Sequence, residues 1–299
     1  MRILLFVLMQ IAVLVTVSIV GTILMAVFGI RLGGGGYTGL LVMCAIFGCV
    51  GSIISLFMSK FMVKKAYGVR VITAPQNQRE YFLVTTIADM ARRYGFKVPE
   101  VGIYDSQEMN AFATGASKDD SLVAVSSALL YSMNEEELKG VLGHEMSHIA
   151  NGDMVTMTLL QGVLNTFVYF FSYLAAMVVS NAMSRSSDEE GSSGGNIFVF
   201  HMVNMLFQIL FGILANVILM WFSRWREYRA DAGSASLGGK ECMIEALEAL
   251  KRSVQIPPQG QQGQFQALCI NGGSGLAELF MSHPPLDKRI AALRMLKTF

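Results

Sequence analysis

Residues 134–180 read NEEELKGVLGHEMSHIANGDMVTMTLLQGVLNTFVYFFSYLAAMVVS. One continuous stretch thus joins a polar-fronted helix to an uncharged run of membrane length. Asn134 followed by Glu135, Glu136 and Glu137 is an N-cap residue with acids in the first turn. Leu138, Val141, Leu142 and Ile149 continue a single helical face. Within that helix stands His144-Glu145-Met146-Ser147-His148, which takes two of the chain's four histidines. Two histidines four apart project from one face, close enough to hold one metal ion. The glutamate between them can reach a water on that metal and take its proton. The pattern points to zinc-dependent peptidase chemistry.

Charge is scarce and unevenly spread. The chain has 299 residues, 53% hydrophobic and 15% charged, against about 25% charged in soluble domains. No Asp, Glu, Lys or Arg lies between Arg2 and Arg31, Arg31 and Lys60, Asp153 and Arg185, or Glu190 and Arg224. Each gap exceeds the ~20 residues that cross a hydrocarbon core. Four transmembrane helices are expected, at 4–28, 39–59, 156–180 and 198–222. The first is too long for the apolar core of a signal peptide and lacks a cleavage signature. For the third and fourth, long buried core helices are the alternative, because the catalytic motif adjoins both. Lys60, Lys64, Lys65 and Arg70 follow the second span, whereas loops 31–38 and 181–196 carry one basic residue each. The positive-inside rule then puts both hairpin tips outside and the termini and polar segments in the cytoplasm. The net charge of +1 gives no argument for a nucleic-acid partner. Cys44, Cys49, Cys242 and Cys269 form no Cys-x-x-Cys pair and read as free buried thiols.

The chain divides into an N-terminal hairpin (1–59), a first polar block (60–153), a second hairpin (154–223) and a second polar block (224–299). The two polar blocks should fold as one domain, since the chemistry needs residues from both. In the first, 77–94 has helical spacing and ends at Gly95. Residues 101–104, 110–114 and 121–125 read as strands, the last two forming a hairpin across Ser117–Asp120. In the second, 223–231 and 241–252 are helical and 255–275 is a loop or a lid. Trp221, Trp225 and Tyr228 suit a membrane interface. His201, near the external end of the fourth span, reads as an interfacial histidine.

A catalytic zinc takes three protein ligands and keeps one position open. Glu227 and Asp231 lie four apart on one helical face. The longer Glu227 suits the metal, and Asp231 suits the free ring N–H of a ligand histidine. Alternatively both are surface acids pairing with Arg224 or Arg229. A scaffold or transporter with a structural metal would need a fourth protein ligand in place of an open position. An intramembrane protease would need the motif inside the bilayer, against Asn134–Glu137 and Lys139, which place its helix in water.

The chain resembles the membrane-bound M48 family of zinc metallopeptidases, and within it the bacterial heat-shock membrane proteases. His144-Glu145-x-x-His148, Glu227-x-x-x-Asp231, Asn110-Ala111-Phe112-Ala113 and His283-Pro284 stand in the family's order. Two spans before the domain and two between the metal motifs also match, so the resemblance covers essentially the whole chain. It implies a gluzincin-type α+β peptidase domain, mainly α with a small sheet, combined with four transmembrane helices in two hairpins. It also implies one Zn2+ per chain, with Glu227 as third ligand to His144 and His148. Zinc lowers the pKa of its water to about 7 and polarises the scissile carbonyl, and Glu145 is the base. His283, in a turn fixed by two prolines, is the candidate partner for the oxyanion; otherwise it is a plain turn residue. Asn110–Ala113 is the strand expected to pair with extended substrate. The implied partners are polypeptides, especially misfolded membrane proteins, and the lipid bilayer. The implied setting is the bacterial inner membrane, with the site facing the cytoplasm and serving quality control under stress.

Overall fold

The computed structural model describes residues 36–186, 193–255 and 283–296. The expected first span (4–28), residues 256–275 of the expected loop and Cys269 therefore lie outside the described residues, while Gln255 ends a helix. In order, the elements are α1 (Gly36–Tyr67), β1 (Arg70–Val71), α2 (Gln78–Tyr94), β2 (Glu100–Tyr104), β3 (Ala111–Gly115), β4 (Ser121–Ser126), α3 (Ser127–Ser132), α4 (Glu135–Asn151), α5 (Asp153–Ser186), α6 (Ser193–Gly238), α7 (Lys240–Gln255) and α8 (Leu286–Met295). They sort into two compact units that divide at residues 55/56, 157/158 and 219/220.

Among the described residues, the first unit, 1–55 with 158–219, is built of apolar helices. Three helices among the described residues are long and apolar enough to cross a membrane: Gly39–Tyr67, Asp153–Met183 and Ile197–Gly238. Leu41 and Cys44 of α1 pack on Phe170 and Leu174 of α5. Leu164 and Val168 of α5 pack on Ala215 of α6. The apolar stretch of α5 is half buried, whereas that of α6 is almost wholly accessible. Its exposed Phe198, Met202, Leu206, Ile209 and Ile213 argue against a buried core helix there. The expected boundary between the fourth span and the helix at 223–231 is absent. Residues 193–238 form one helix, because no Gly or Pro interrupts the pattern between Gly212 and Gly233.

The second unit, 56–157 with 220–299, holds a four-stranded sheet in the order β1-β2-β4-β3. β2 and β4 are parallel, and β1 and β3 run antiparallel to their neighbours. The two-residue β1 and the six-residue α3 carry no periodic pattern long enough to read from sequence. Val101 and Ile103 of β2 and Val123 and Val125 of β4 meet Leu83, Ile87 and Met90 of α2 in the core. Leu138, Leu142, Met146 and Ile149 of α4 close it. Asn77 Oδ1 accepts the Glu80 N–H to start α2, and Asn134 with Glu137 forms a capping box on α4. Such caps satisfy N–H groups that have no partner in the helix. Small residues on α4 then admit close neighbours. A Cβ on Gly140 would lie 2.3 Å from the Cys242 carbonyl oxygen of α7, and one on Gly143 would meet Ser234 Oγ of α6 at 2.6 Å. Ser234 Oγ donates to the Gly140 carbonyl (2.7 Å). Glu227, Asp231 and Ser234 share one face of α6 at helical spacing, so this close approach delivers both acids to the histidine motif.

Candidate active site

His144 and His148 rise from α4 with their rings edge to face, 4.6 Å between centroids. Each Nδ1 is tied to a carboxylate: His144 to Asp231 Oδ1 at 2.8 Å and His148 to Asp153 Oδ2 at 2.7 Å. A carboxylate accepts, so each Nδ1 carries the hydrogen and, in the neutral rings, each Nε2 keeps its lone pair. The two Nε2 atoms face each other at 3.1 Å. Glu227, 2% exposed, brings Oε2 to 3.3 Å from His144 Nε2 and Oε1 to 3.3 Å from His148 Nε2. Two lone pairs and a carboxylate that face one another call for a cation among them. Zinc bonds of about 2.0–2.1 Å in a tetrahedron set neighbouring ligand atoms about 3.3–3.4 Å apart. The observed 3.1–3.3 Å spacings therefore fit zinc, as does the donor set, and these three side chains form a group able to hold a metal.

The surroundings add charge and order. Arg289 of α8 clamps Asp231 with both prongs, Nε to Oδ2 at 2.9 Å and Nη2 to Oδ1 at 2.6 Å. Asp231 and Glu227 are each 2% exposed, which excludes the reading of both as surface acids. His283 Nδ1 lies 2.7 Å from Glu227 Oε2 at the exposed rim, so the histidine before the prolines does reach the site. Burial raises the Glu145 carboxyl above the ordinary carboxylate range; the adjacent imidazoles pull it back and Glu227 adds to the rise. For His148, burial lowers the ring pKa, but the Asp153 and Glu227 carboxylates outweigh it and push it up to about 9 with the protein groups alone.

Of the expected strand Asn110–Ala113, Asn110 precedes β3 and Ala111–Ala113 open it; β3 is one edge of the sheet, with β4 as its only strand neighbour among the described residues. Ser126 donates its N–H to Asn110 O and takes the Asn110 N–H on Oγ. Asn110 is therefore turned inward. By antiparallel alternation Phe112 also bonds to β4, and Ala111 and Ala113 turn their N–H and C=O groups to the free edge.

Three neighbours of the site escape the sequence reading: Arg289, Asp153 and Arg226. Arg289 has no local signal, since its meaning depends on a helix 58 residues beyond Asp231 folding back. Asp153 had one: an acid opening an otherwise uncharged span. Arg226 donates Nη1–H to the Asp153 carbonyl at 3.1 Å.

Comparison with known proteins now bears on this geometry. Residues 77–297 match Peptidase family M48. The chain is 55% identical over 293 residues to Protease HtpX of Aeromonas hydrophila, covering 98% of this chain and 99% of that protein. It is 54% identical over 296 residues to Protease HtpX of Tolumonas auensis, covering 99% of each. In fold it is similar to the crystal structure of S. mikatae Ste24p, with a TM-score of 0.59 at 19% identity over 97% of this chain and 67% of that one. With family and donor set in agreement, the chain belongs to peptidase family M48, as a membrane zinc metallopeptidase.

Proposed function

We propose that the chain is an endopeptidase that cuts membrane proteins and loosely folded polypeptides on the cytoplasmic side of the bacterial inner membrane, in protein quality control under stress. The observation that carries this reading is the convergence of His144 Nε2, His148 Nε2 and the Glu227 carboxylate on the helix that also holds Glu145. His144, His148 and Glu227 hold the metal in a gluzincin arrangement, and Asp231 fixes the His144 tautomer. A bound zinc supplies Lewis acidity, acidifying water and polarising a carbonyl. Glu145 takes the proton of the attacking water and passes it to the leaving amine. Burial raises its pKa, which makes the carboxylate a better proton acceptor. His283 is the oxyanion partner. Its Nδ1 is engaged by Glu227, so Nε2 is the ring nitrogen that faces the oxyanion.

The free edge of β3 binds substrate as an added strand through Ala111 and Ala113. Main-chain pairing carries little sequence preference, which suits a protease that clears damaged proteins. Four spans in two hairpins, 1–59 and 154–223, anchor a peptidase domain made of 60–153 and 224–299. The cytoplasmic assignment rests on Lys60, Lys64, Lys65 and Arg70 after the second span. Exposed Trp221 and Trp225 suit the membrane interface.

The test uses detergent-solubilised protein and an unfolded substrate. Chelation should abolish cleavage and zinc should restore it. Glu145→Gln should keep zinc and lose at least 10²-fold in turnover. Peptide-bond cleavage that survives both treatments contradicts the mechanism.

A further inference from the structure

The metal site contains two histidine–carboxylate pairs, and the function above uses only the one through Asp231. We propose that Asp153, held by Arg226, is the positioning residue for His148. It fixes the ring's tautomer and its angle so that Nε2 faces the metal. This rests on the zinc-site reading and extends it to a residue that touches neither metal nor substrate.

Asp153 follows His148 by five residues. On an unbroken helix at 100° per residue it would stand about 140° around the axis from the histidine, out of reach. The chain breaks at Gly152, whose φ of +65° places it in the left-handed region. Its N–H caps α4 on the His148 and Ile149 carbonyls. That turn lets Asp153, the first residue of α5, come back to His148 Nδ1 at 2.7 Å. Both groups are withdrawn from water, with side-chain exposures of 12% and 5%. Arg226, 11% exposed, holds the same residue from α6. Its Nη1–H bonds the Asp153 carbonyl (3.1 Å), and its Nε lies 3.9 Å from Oδ2, an ion-pair distance rather than a hydrogen bond. The result repeats the His144–Asp231–Arg289 chain on the other side of the metal group. A carboxylate on the far nitrogen of a ligand histidine fixes its orientation and raises its basicity, and losing it costs 10–100-fold in metal affinity.

The experiment measures zinc affinity of the full-length, detergent-solubilised chain by competition with a chromophoric chelator. Asp153→Asn, Asp153→Ala and His148→Ala are compared with the parent, alongside thermal unfolding of the zinc-free forms. Asp153→Ala should bind zinc about 100-fold more weakly. Asp153→Asn should lose about tenfold, since its carbonyl still accepts the ring N–H but lacks the charge. Asn serves a helix start about as well as Asp. If Asp153 acted only at the start of α5, Asp153→Asn would keep parental zinc affinity, and that result overturns the proposal. It is equally overturned if both variants bind within twofold of the parent while His148→Ala loses zinc. Should Asp153→Ala fail to fold, Asp153→Asn alone decides. Parental affinity in His148→Ala would instead sink the zinc-site reading itself, so the two failures are told apart.

Discussion

Arg289 and Asp231 offer a sharp test of how the site is held together. Their side chains are 7% and 3% exposed and share two hydrogen bonds, at 2.6 and 2.9 Å. Removing one partner leaves the other charge buried, which costs about 3–5 kcal/mol. For a unit of this size, each kcal/mol moves the unfolding midpoint by about 2–4 °C. Arg289→Met, which keeps most of the volume, should therefore lower the midpoint by roughly 6–20 °C. Asp231→Asn should fall at the lower end, because the amide oxygen can still accept from Arg289 and His144. The double variant removes both charges at once and should recover about 1–3 kcal/mol relative to the sum of the single losses. The assay is thermal unfolding in detergent on zinc-free protein, so that metal linkage does not enter. Additivity within about 0.5 kcal/mol would refute the claim that this is a coupled buried pair.

Gly140→Ala should lower the zinc-free midpoint, despite the ~1 kcal/mol that Ala gains in helix propensity. The new methyl would lie 2.3 Å from a backbone oxygen of α7, and such overpacking costs about 1–3 kcal/mol; an unchanged or higher midpoint would contradict the packing. Ala113→Pro removes an N–H from the free edge of β3 but none from the β3–β4 ladder, so it should raise KM for an unfolded substrate while leaving the fold intact by circular dichroism. Unaltered KM in that variant would remove the edge strand from the substrate path. Glu80, 1% exposed, is held below the usual carboxylate range by the Arg70 guanidinium and the Gln76 N–H. A depressed folded pKa gives stability that is complete above the unfolded value of about 4.3 and is lost as pH falls through the folded one. Parent stability should thus fall more steeply below about pH 4.3 than that of Glu80→Gln, and parallel acid profiles would exclude the effect.

The part of the site legible in sequence is the part that a helix displays locally. His144, Glu145 and His148 fall on one turn of a helix with a visible N-cap, and Glu227 and Asp231 repeat the spacing on another. The long uncharged runs marked α1, α5 and α6 for the same reason: length and periodicity are written residue by residue. What could not be read depends on the chain returning on itself. Arg289 becomes part of the site only because α8 brings it onto Asp231. Asp153 reaches back to His148 only because Gly152 takes a left-handed conformation. The unbroken run of α6 through 238 was hidden by the change from apolar to charged residues near Arg224, which reads as an element boundary although no helix breaker stands there.

Charge balance around the metal group leads to one more testable consequence. Four carboxylates (Glu145, Asp153, Glu227 and Asp231) meet two guanidiniums, Arg226 and Arg289, around the two imidazoles. With the histidine rings neutral and all four carboxylates ionised, two negative charges remain, the amount one divalent cation neutralises. Without metal, protons must take its place, and the space between the facing Nε2 atoms is where one would go. The Asp153 and Glu227 carboxylates overcome burial and push His148 up to about 9, so at pH 7 the chelated protein should carry that proton. Zinc must then expel it, because a ligand imidazole has to be neutral. Apparent zinc affinity should rise by about tenfold per pH unit for each proton released, and flatten near pH 9. Calorimetric titration at pH 7 in two buffers of different ionisation enthalpy reads the proton count directly. Identical heats in the two buffers would mean that no proton leaves, and that the carboxylates around His148 do not hold the charge their positions require.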